Sequence, residues 1–103
     1  MIEIVIRAED IIRRAIVIDL DNNLFVDEVF GVVKPFRCVE ELANILMSYA
    51  CRGECEKPHA DPVIHAGKVV LVWRGREVTI DGDFFVGIKI SSILSNVNML
   101  VRN

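Results

Sequence analysis

A length of 103 residues fits one domain, expected over residues 1–103, and a hydrophobic share of 52% can support its core. The formal net charge of −3, from 12 basic and 15 acidic residues, gives no global basic surface to neutralise phosphates, so we expect no nucleic-acid partner. No apolar run approaches the roughly 20 residues of a membrane span, so we expect no membrane partner either.

The first residues predict a strand and a location. Ile2, Ile4 and Ile6 occupy alternate positions, which indicates a strand with one buried face. This stretch lacks the basic head and the cleavage site of a signal peptide, so we expect a cytoplasmic protein with reduced thiols. Glutamine is absent from the chain, which fits a thermophile's avoidance of thermolabile residues, and intracellular disulfides do occur in hyperthermophiles.

A β-hairpin is predicted next. Two apolar, β-branched runs, residues 15–20 and residues 24–33, enclose the polar segment Asp21-Asn22-Asn23. Asparagine and aspartate tolerate the left-handed backbone conformation of a tight turn. Lys34-Pro35 then breaks the strand pattern.

The first helix is predicted over residues 37–51. Glu40 and Glu41 lie in its first turn, where acidic residues favour the helix dipole, and Gly53 is placed to end it. Its apolar residues recur at helical spacing: Val39, Leu42, Ala43, Leu46 and Met47.

A three-stranded meander is predicted from residue 67 onward. Strands are expected over Val69–Trp73 and Glu77–Ile80, with Arg74-Gly75 as the turn between them. Asp81-Gly82-Asp83 is a second turn signal. Residues 84–90 alternate as a third strand would, and a helix that begins at residue 83 fits them as well.

A second helix closes the chain, with Ser91 or Ser92 as its N-cap. Its apolar residues recur at spacings of three and four: Ile93, Leu94, Val97, Leu100 and Val101. The predicted fold class is therefore α+β: a single domain with an antiparallel sheet and two main helices. The order of two strands, helix, three strands and helix resembles that of the longin and roadblock families, by topology and not by motif, and this resemblance implies a small interaction module.

A Cys/His cluster is the most informative local pattern. Both histidines and two of the three cysteines form Cys-x3-Cys-x3-His-x5-His: Cys51, Cys55, His59 and His65. Thiolates and imidazoles are the ligands that zinc prefers, and four of them close a tetrahedral structural site, so zinc is the candidate cofactor. The spacing is not a standard one. Two alternatives stay open: a Cys51–Cys55 disulfide, and ordinary thiols and loop histidines.

An acidic pair at the hairpin is the second candidate site. Residues 17–24 resemble the first motif of haloacid-dehalogenase-type phosphatases, which implies Asp19 as nucleophile, Asp21 as acid/base and magnesium bound alongside. Asn23 stands where that family has threonine or valine, and the family's other motifs are not found. A hairpin turn explains the same residues without chemistry.

The third cysteine, Cys38, lies at the predicted start of the first helix. A catalytic cysteine would need a histidine base that only the fold can bring near, so we expect an ordinary half-buried side chain. With no convincing catalytic set, the leading functional prediction is a non-enzymatic interaction module. Its high apolar share predicts self-association as a homodimer, or a protein partner. The alternatives are a small zinc-binding domain and a magnesium-dependent phosphatase.

Overall fold

A computed structural model describes residues 16–51, 61–64, 67–81 and 87–102. The predicted strand at the N-terminus and the helix-ending role of Gly53 lie outside these residues. These described residues contain two helices, α1 (Val39–Cys51) and α2 (Ile90–Arg102). The strands are β1 (Ile16–Asp19), β2 (Leu24–Asp27), β3 (Val32–Pro35), β4 (Val63–Ile64), β5 (Lys68–Trp73), β6 (Arg76–Asp81) and β7 (Ile88–Lys89). The α+β class predicted from the sequence is confirmed.

The main sheet has five strands in the order β3-β2-β1-β5-β6, and β4 pairs with β7 in a separate two-stranded sheet. All neighbouring strands run antiparallel except β1 and β5, which run parallel with Ile16 opposite Val69. The predicted antiparallel sheet is thus confirmed for its other pairs, with β1 and β5 as the one parallel pair among the described strands. Parallel neighbours need a long crossover, and here the connection between β1 and β5 contains β2, β3, α1 and β4.

The hairpin prediction treats the apolar run over residues 24–33 as one strand. The structure instead has two strands there, β2 and β3, joined by a turn. A carboxylate oxygen of Asp27 accepts the backbone N–H of Val29 at 2.9 Å and of Phe30 at 3.1 Å, which closes a turn after β2. Gly31 follows with φ 68°, a left-handed conformation that glycine adopts without strain. The Lys34-Pro35 pair, predicted as a break, therefore lies in β3.

The predicted meander is confirmed for its first two strands, β5 and β6, whereas the described part of its predicted third strand does not pair with β6. In the segment 84–90, only Ile88–Lys89 is described as a strand, and it pairs with β4. The backbone N–H of Ile90 donates to the carbonyl of Pro62 at 3.3 Å, and α2 begins at Ile90 instead of residue 83. This bond continues the β4–β7 pairing by one residue, up to the first residue of the helix.

Both predicted helices are present, with small changes at their first residues. The first begins two residues later than expected, because Cys38 supplies the carbonyl that accepts the N–H of Leu42 at 3.1 Å. The side chain of Glu41 reaches back to accept the N–H of Arg37 at 3.1 Å, as a capping residue does. Within the described part of the chain, neither helix is long and apolar enough to cross a membrane.

The core lies between the helices and one face of the sheet, here called the inner face. Alternate strand residues point into it, and the ring of Phe25 meets that of Tyr49 edge-on at a centroid distance of 5.3 Å. Fully burying one large aliphatic side chain contributes about 1.5–3 kcal/mol. The residues with essentially no exposure come from both halves of the chain, which makes one core: Ile16, Ile18, Phe25, Leu42, Leu46, Val69, Leu71, Ile93 and Val97.

Candidate functional site

The first acidic residue of the hairpin, Asp19, forms the turn that follows β1. One oxygen of its carboxylate accepts the backbone N–H of Asp21 at 3.0 Å and of Asn22 at 3.1 Å, and the other accepts the side-chain amide of Asn22 at 2.8 Å. The hydrogen bond from the Asn22 side chain is the main cause that holds the pKa of Asp19 below its ordinary value, with the two backbone donors adding to it and burial opposing it. The ionised carboxylate is thus part of the turn.

The second acidic residue, Asp21, joins this turn to the β5–β6 turn. Its carboxylate oxygens accept the backbone N–H of Arg74 at 2.6 Å and of Gly75 at 2.9 Å. The two turns meet because β1 and β5 are parallel neighbours, and the N–H of Leu20 continues their pairing to the carbonyl of Val72 at 2.8 Å. Asp21 therefore connects two hairpins that are distant in the sequence.

These contacts favour the hairpin-turn interpretation of Asp19 and Asp21 over the phosphatase resemblance. The carboxylate of Asp19 accepts hydrogen bonds from its own turn, and that of Asp21 accepts them from the β5–β6 turn. Both residues therefore act as turn-forming residues. Among the described residues, no group of three or more His, Cys, Asp or Glu side chains is placed to hold a metal ion. The described contacts of both carboxylates are those of turn residues.

The Cys/His cluster falls almost entirely outside the described residues. Cys51 is the last residue of α1, whereas Cys55, His59 and His65 lie in segments that the structure does not describe. The zinc site and the Cys51–Cys55 disulfide therefore stay predictions. Cys38 is exposed and forms no disulfide, so the expectation of a half-buried side chain was wrong.

The two edges of the five-stranded sheet differ in what they offer to another chain. At one edge, the N–H of Phe36 donates to the carbonyl of Asn23 at 3.0 Å, so the backbone groups of Phe36 face β2. Backbone groups alternate along a strand, so those of Val33 and Pro35 face away from β2. Proline has no N–H, and the four-residue strand β3 is therefore a poor template for another strand.

At the other edge, β6 is six residues long and contains no proline. Its turn has φ 52° at Arg74 and φ 75° at Gly75, the type I′ pattern, in which the N–H of the fourth residue points to the carbonyl of the first. The backbone groups of Arg76 consequently face β5, and those of Glu77 and Thr79 face away from it. We call these outward-facing groups the β6 edge; no other strand of the described residues pairs with it.

A second exposed surface lies on the β2–β3 hairpin. Val29, Phe30 and Val33 are 57%, 66% and 58% exposed, and together they form what we call the hairpin patch. The other large apolar residues that are exposed in the described chain lie on the helices: Met47, Met99 and Val101. Sequence patterns alone assigned residues 29–33 to a strand and missed this patch, although Asp27 before it and Gly31 within it are turn signals.

Comparison of the chain with protein-family models, curated proteins and solved structures finds no match.

Proposed function

We propose that this protein is a non-enzymatic interaction module that self-associates, and that the β6 edge is its binding surface. The supporting observation is a six-residue strand at the end of the sheet, with outward-facing backbone groups at Glu77 and Thr79 and no proline. Exposed edge strands of this kind are templates for pairing with another chain.

Pairing along β6 is favourable because backbone groups of a second chain replace water as the hydrogen-bond partners of the β6 edge. A backbone hydrogen bond between chains adds only about 0.5–1.5 kcal/mol net, so several bonds and side-chain contacts must combine. Val78 and Ile80 lie on the inner face, are half-buried, and pack against the core. A second strand laid along β6 would cover the remaining surface of both side chains, which adds a hydrophobic contribution.

The alternative surfaces are less suited to self-association. The edge of β3 is short and carries Pro35, which removes one of the donors that an added strand needs. In the centre of the sheet, on the face opposite the core, Val70 is only 3% exposed and Val17 and Val72 are half-buried, and this face offers no row of unpaired backbone groups. The hairpin patch is exposed, but it offers a small turn surface instead of an extended row of backbone groups.

Sedimentation velocity over a range of protein concentrations tests the proposal. The wild type should form dimers, and Thr79→Pro should shift it to monomer, because that substitution removes an N–H from the β6 edge while keeping the bonds to β5. Thr79→Ala is the matched control and should dimerise like the wild type. Circular dichroism establishes that each variant is folded.

Two further variants keep the test decisive. Thr79 is exposed, so Thr79→Glu is expected to fold, and its added charges should weaken the dimer even if Thr79→Pro unfolds. Phe30→Ser removes the main side chain of the hairpin patch and should leave dimerisation unchanged. A wild type that stays monomeric at all concentrations, or a dimer that Phe30→Ser dissociates and the Thr79 variants do not, would overturn the proposal.

A further inference from the structure

We infer that the occupant of the β6 edge is a second copy of β6, paired antiparallel in a register centred on Val78. This inference rests on the proposed self-association and specifies its geometry. Identical strands pair around a two-fold axis perpendicular to the sheet, which keeps the inner faces of both copies on the same side. Such an axis places one residue of β6 directly opposite itself.

Charge decides between the registers that the β6 edge allows. A register centred on Glu77 would place that residue opposite itself, and a register centred on Thr79 would place Glu77 opposite the acidic position 81 of the second copy. Like charges directly opposite each other destabilise a strand pair. A register centred on Ile80 would extend past the end of β6 and leave fewer of its residues paired.

The register centred on Val78 avoids these conflicts. It places Glu77 opposite Thr79 of the second copy, and both residues present backbone groups to the β6 edge, so each such pair exchanges two hydrogen bonds. It places the half-buried Val78 opposite itself and Ile80 opposite Arg76, whose aliphatic stem can cover it. The two five-stranded sheets become one continuous ten-stranded sheet, which is within the usual range for open sheets.

Charge substitutions at Thr79 test the register. In the register centred on Val78, Thr79→Lys places a lysine opposite Glu77 of the second copy at two symmetry-related positions, and the dimer dissociation constant should fall about threefold or more at low salt. Thr79→Glu should raise it by a similar factor, and adding Glu77→Lys to Thr79→Glu should restore it. In a register centred on Thr79, both single substitutions would weaken the dimer, because like charges would then meet.

Disulfide trapping gives an independent readout. Residues opposite each other in a pair without hydrogen bonds have Cα atoms about 4.5 Å apart, which suits a disulfide, so Val78→Cys should cross-link to itself under mild oxidation. Thr79→Cys is the matched control, because its two copies would be about 8 Å apart and too far to bridge. Peptide mass spectrometry assigns the linked residues and separates them from links that involve the native cysteines.

The outcomes separate the register from the proposed function. A Val78→Cys cross-link together with tighter association of Thr79→Lys supports the inference. A dimer that cross-links through Thr79→Cys, or that Thr79→Lys weakens, overturns the register and leaves self-association standing. A monomeric wild type overturns both.

Discussion

The side chain of Asp21 accepts a hydrogen bond from the backbone N–H of Arg74 at 2.6 Å, across 53 positions of the chain. The N–H of Gly75 donates to the same carboxylate at 2.9 Å. Both donors belong to the turn that leads into β6, so Asp21 fixes the start of the strand whose edge we propose as the binding surface. Its role is therefore to position one hairpin against another.

Removal of the Asp21 carboxylate should lower the stability of the whole fold. Because two backbone donors lose a charged acceptor at an exposed site, Asp21→Ala should reduce the free energy of unfolding by about 1–2 kcal/mol. Asp21→Asn retains one acceptor oxygen, so its free energy of unfolding should lie between those of the wild type and Asp21→Ala. Urea denaturation followed by circular dichroism measures the difference. Equal stability of Asp21→Ala and the wild type would contradict this role.

The sequence predicts the turns, which depend on neighbouring residues, and misses the contacts between segments that are far apart in the chain. Asn23 and Gly75 indicate turns because asparagine and glycine adopt left-handed backbone conformations readily, and the turns are found where expected. The parallel pairing of β1 with β5 and the bond from Asp21 to Arg74 join segments far apart in the chain. No local pattern encodes such pairings, so an antiparallel sheet was the simplest expectation.

The zinc and disulfide predictions call for a direct measurement. Cys51 ends α1, so a metal bound by it together with Cys55, His59 and His65 would fasten the end of that helix. Native mass spectrometry of the tag-free protein should then show one zinc per chain, and Cys55→Ser should release it and lower the melting temperature. A mass two daltons low that reductant restores would instead identify the disulfide. If neither signal is observed, the cysteines and histidines of this cluster are ordinary residues.

The lowered pKa of Asp19 predicts a specific pH dependence. A carboxyl group whose pKa is lower in the folded state stabilises the fold above its ordinary value of 3.8, and this contribution is lost as the pH falls through the folded-state pKa. The stability difference between wild type and Asp19→Asn should therefore be constant near neutral pH and shrink below about pH 4.

The stability difference between the wild type and Asp19→Asn separates the effect of Asp19 from the effects of other acidic groups. Backbone and side-chain hydrogen bonds from Arg37 also hold the pKa of Glu41 low, and that effect is present in both proteins and cancels. Thermal melts from pH 2.5 to 7, at about half-unit steps, measure the difference. A stability difference that grew on acidification would contradict the assignment.

Gly87 is the glycine that the fold needs most among those described. It has φ 84°, and a Cβ built there would lie 2.6 Å from the carbonyl oxygen of Ile64 and 2.6 Å from a methyl group of Val63. Gly87→Ala should therefore cost about 2–4 kcal/mol, from the left-handed backbone and from the clash with β4. The matched control is Gly31→Ala, which has φ 68° with no atom within 4 Å and should cost about 1 kcal/mol. Similar losses in the two variants would show that the contact with β4 is not tight.

Asp27 is a charged residue in a buried position, only 1% exposed, at the end of β2. One carboxylate oxygen accepts the backbone N–H groups of Val29 and Phe30, whereas the other, Oδ2, has no hydrogen-bond partner among the described residues. The first oxygen shapes the turn that carries the hairpin patch, whereas the second accepts no hydrogen bond from the described residues. Substitutions of Asp27 can therefore test the roles of the two oxygens separately.

Asp27→Asn keeps the accepting oxygen and replaces the other with an amide of similar size, so its stability should stay within about 1 kcal/mol of the wild type. Asp27→Ala leaves two partly buried N–H groups without their acceptor and should cost about 2 kcal/mol or more. Hydrogen exchange at Val29 and Phe30 supplies the second readout. Both amides should exchange faster in Asp27→Ala and keep their protection in Asp27→Asn. Equal losses in the two variants would mean that Oδ2 has a role that these contacts do not reveal.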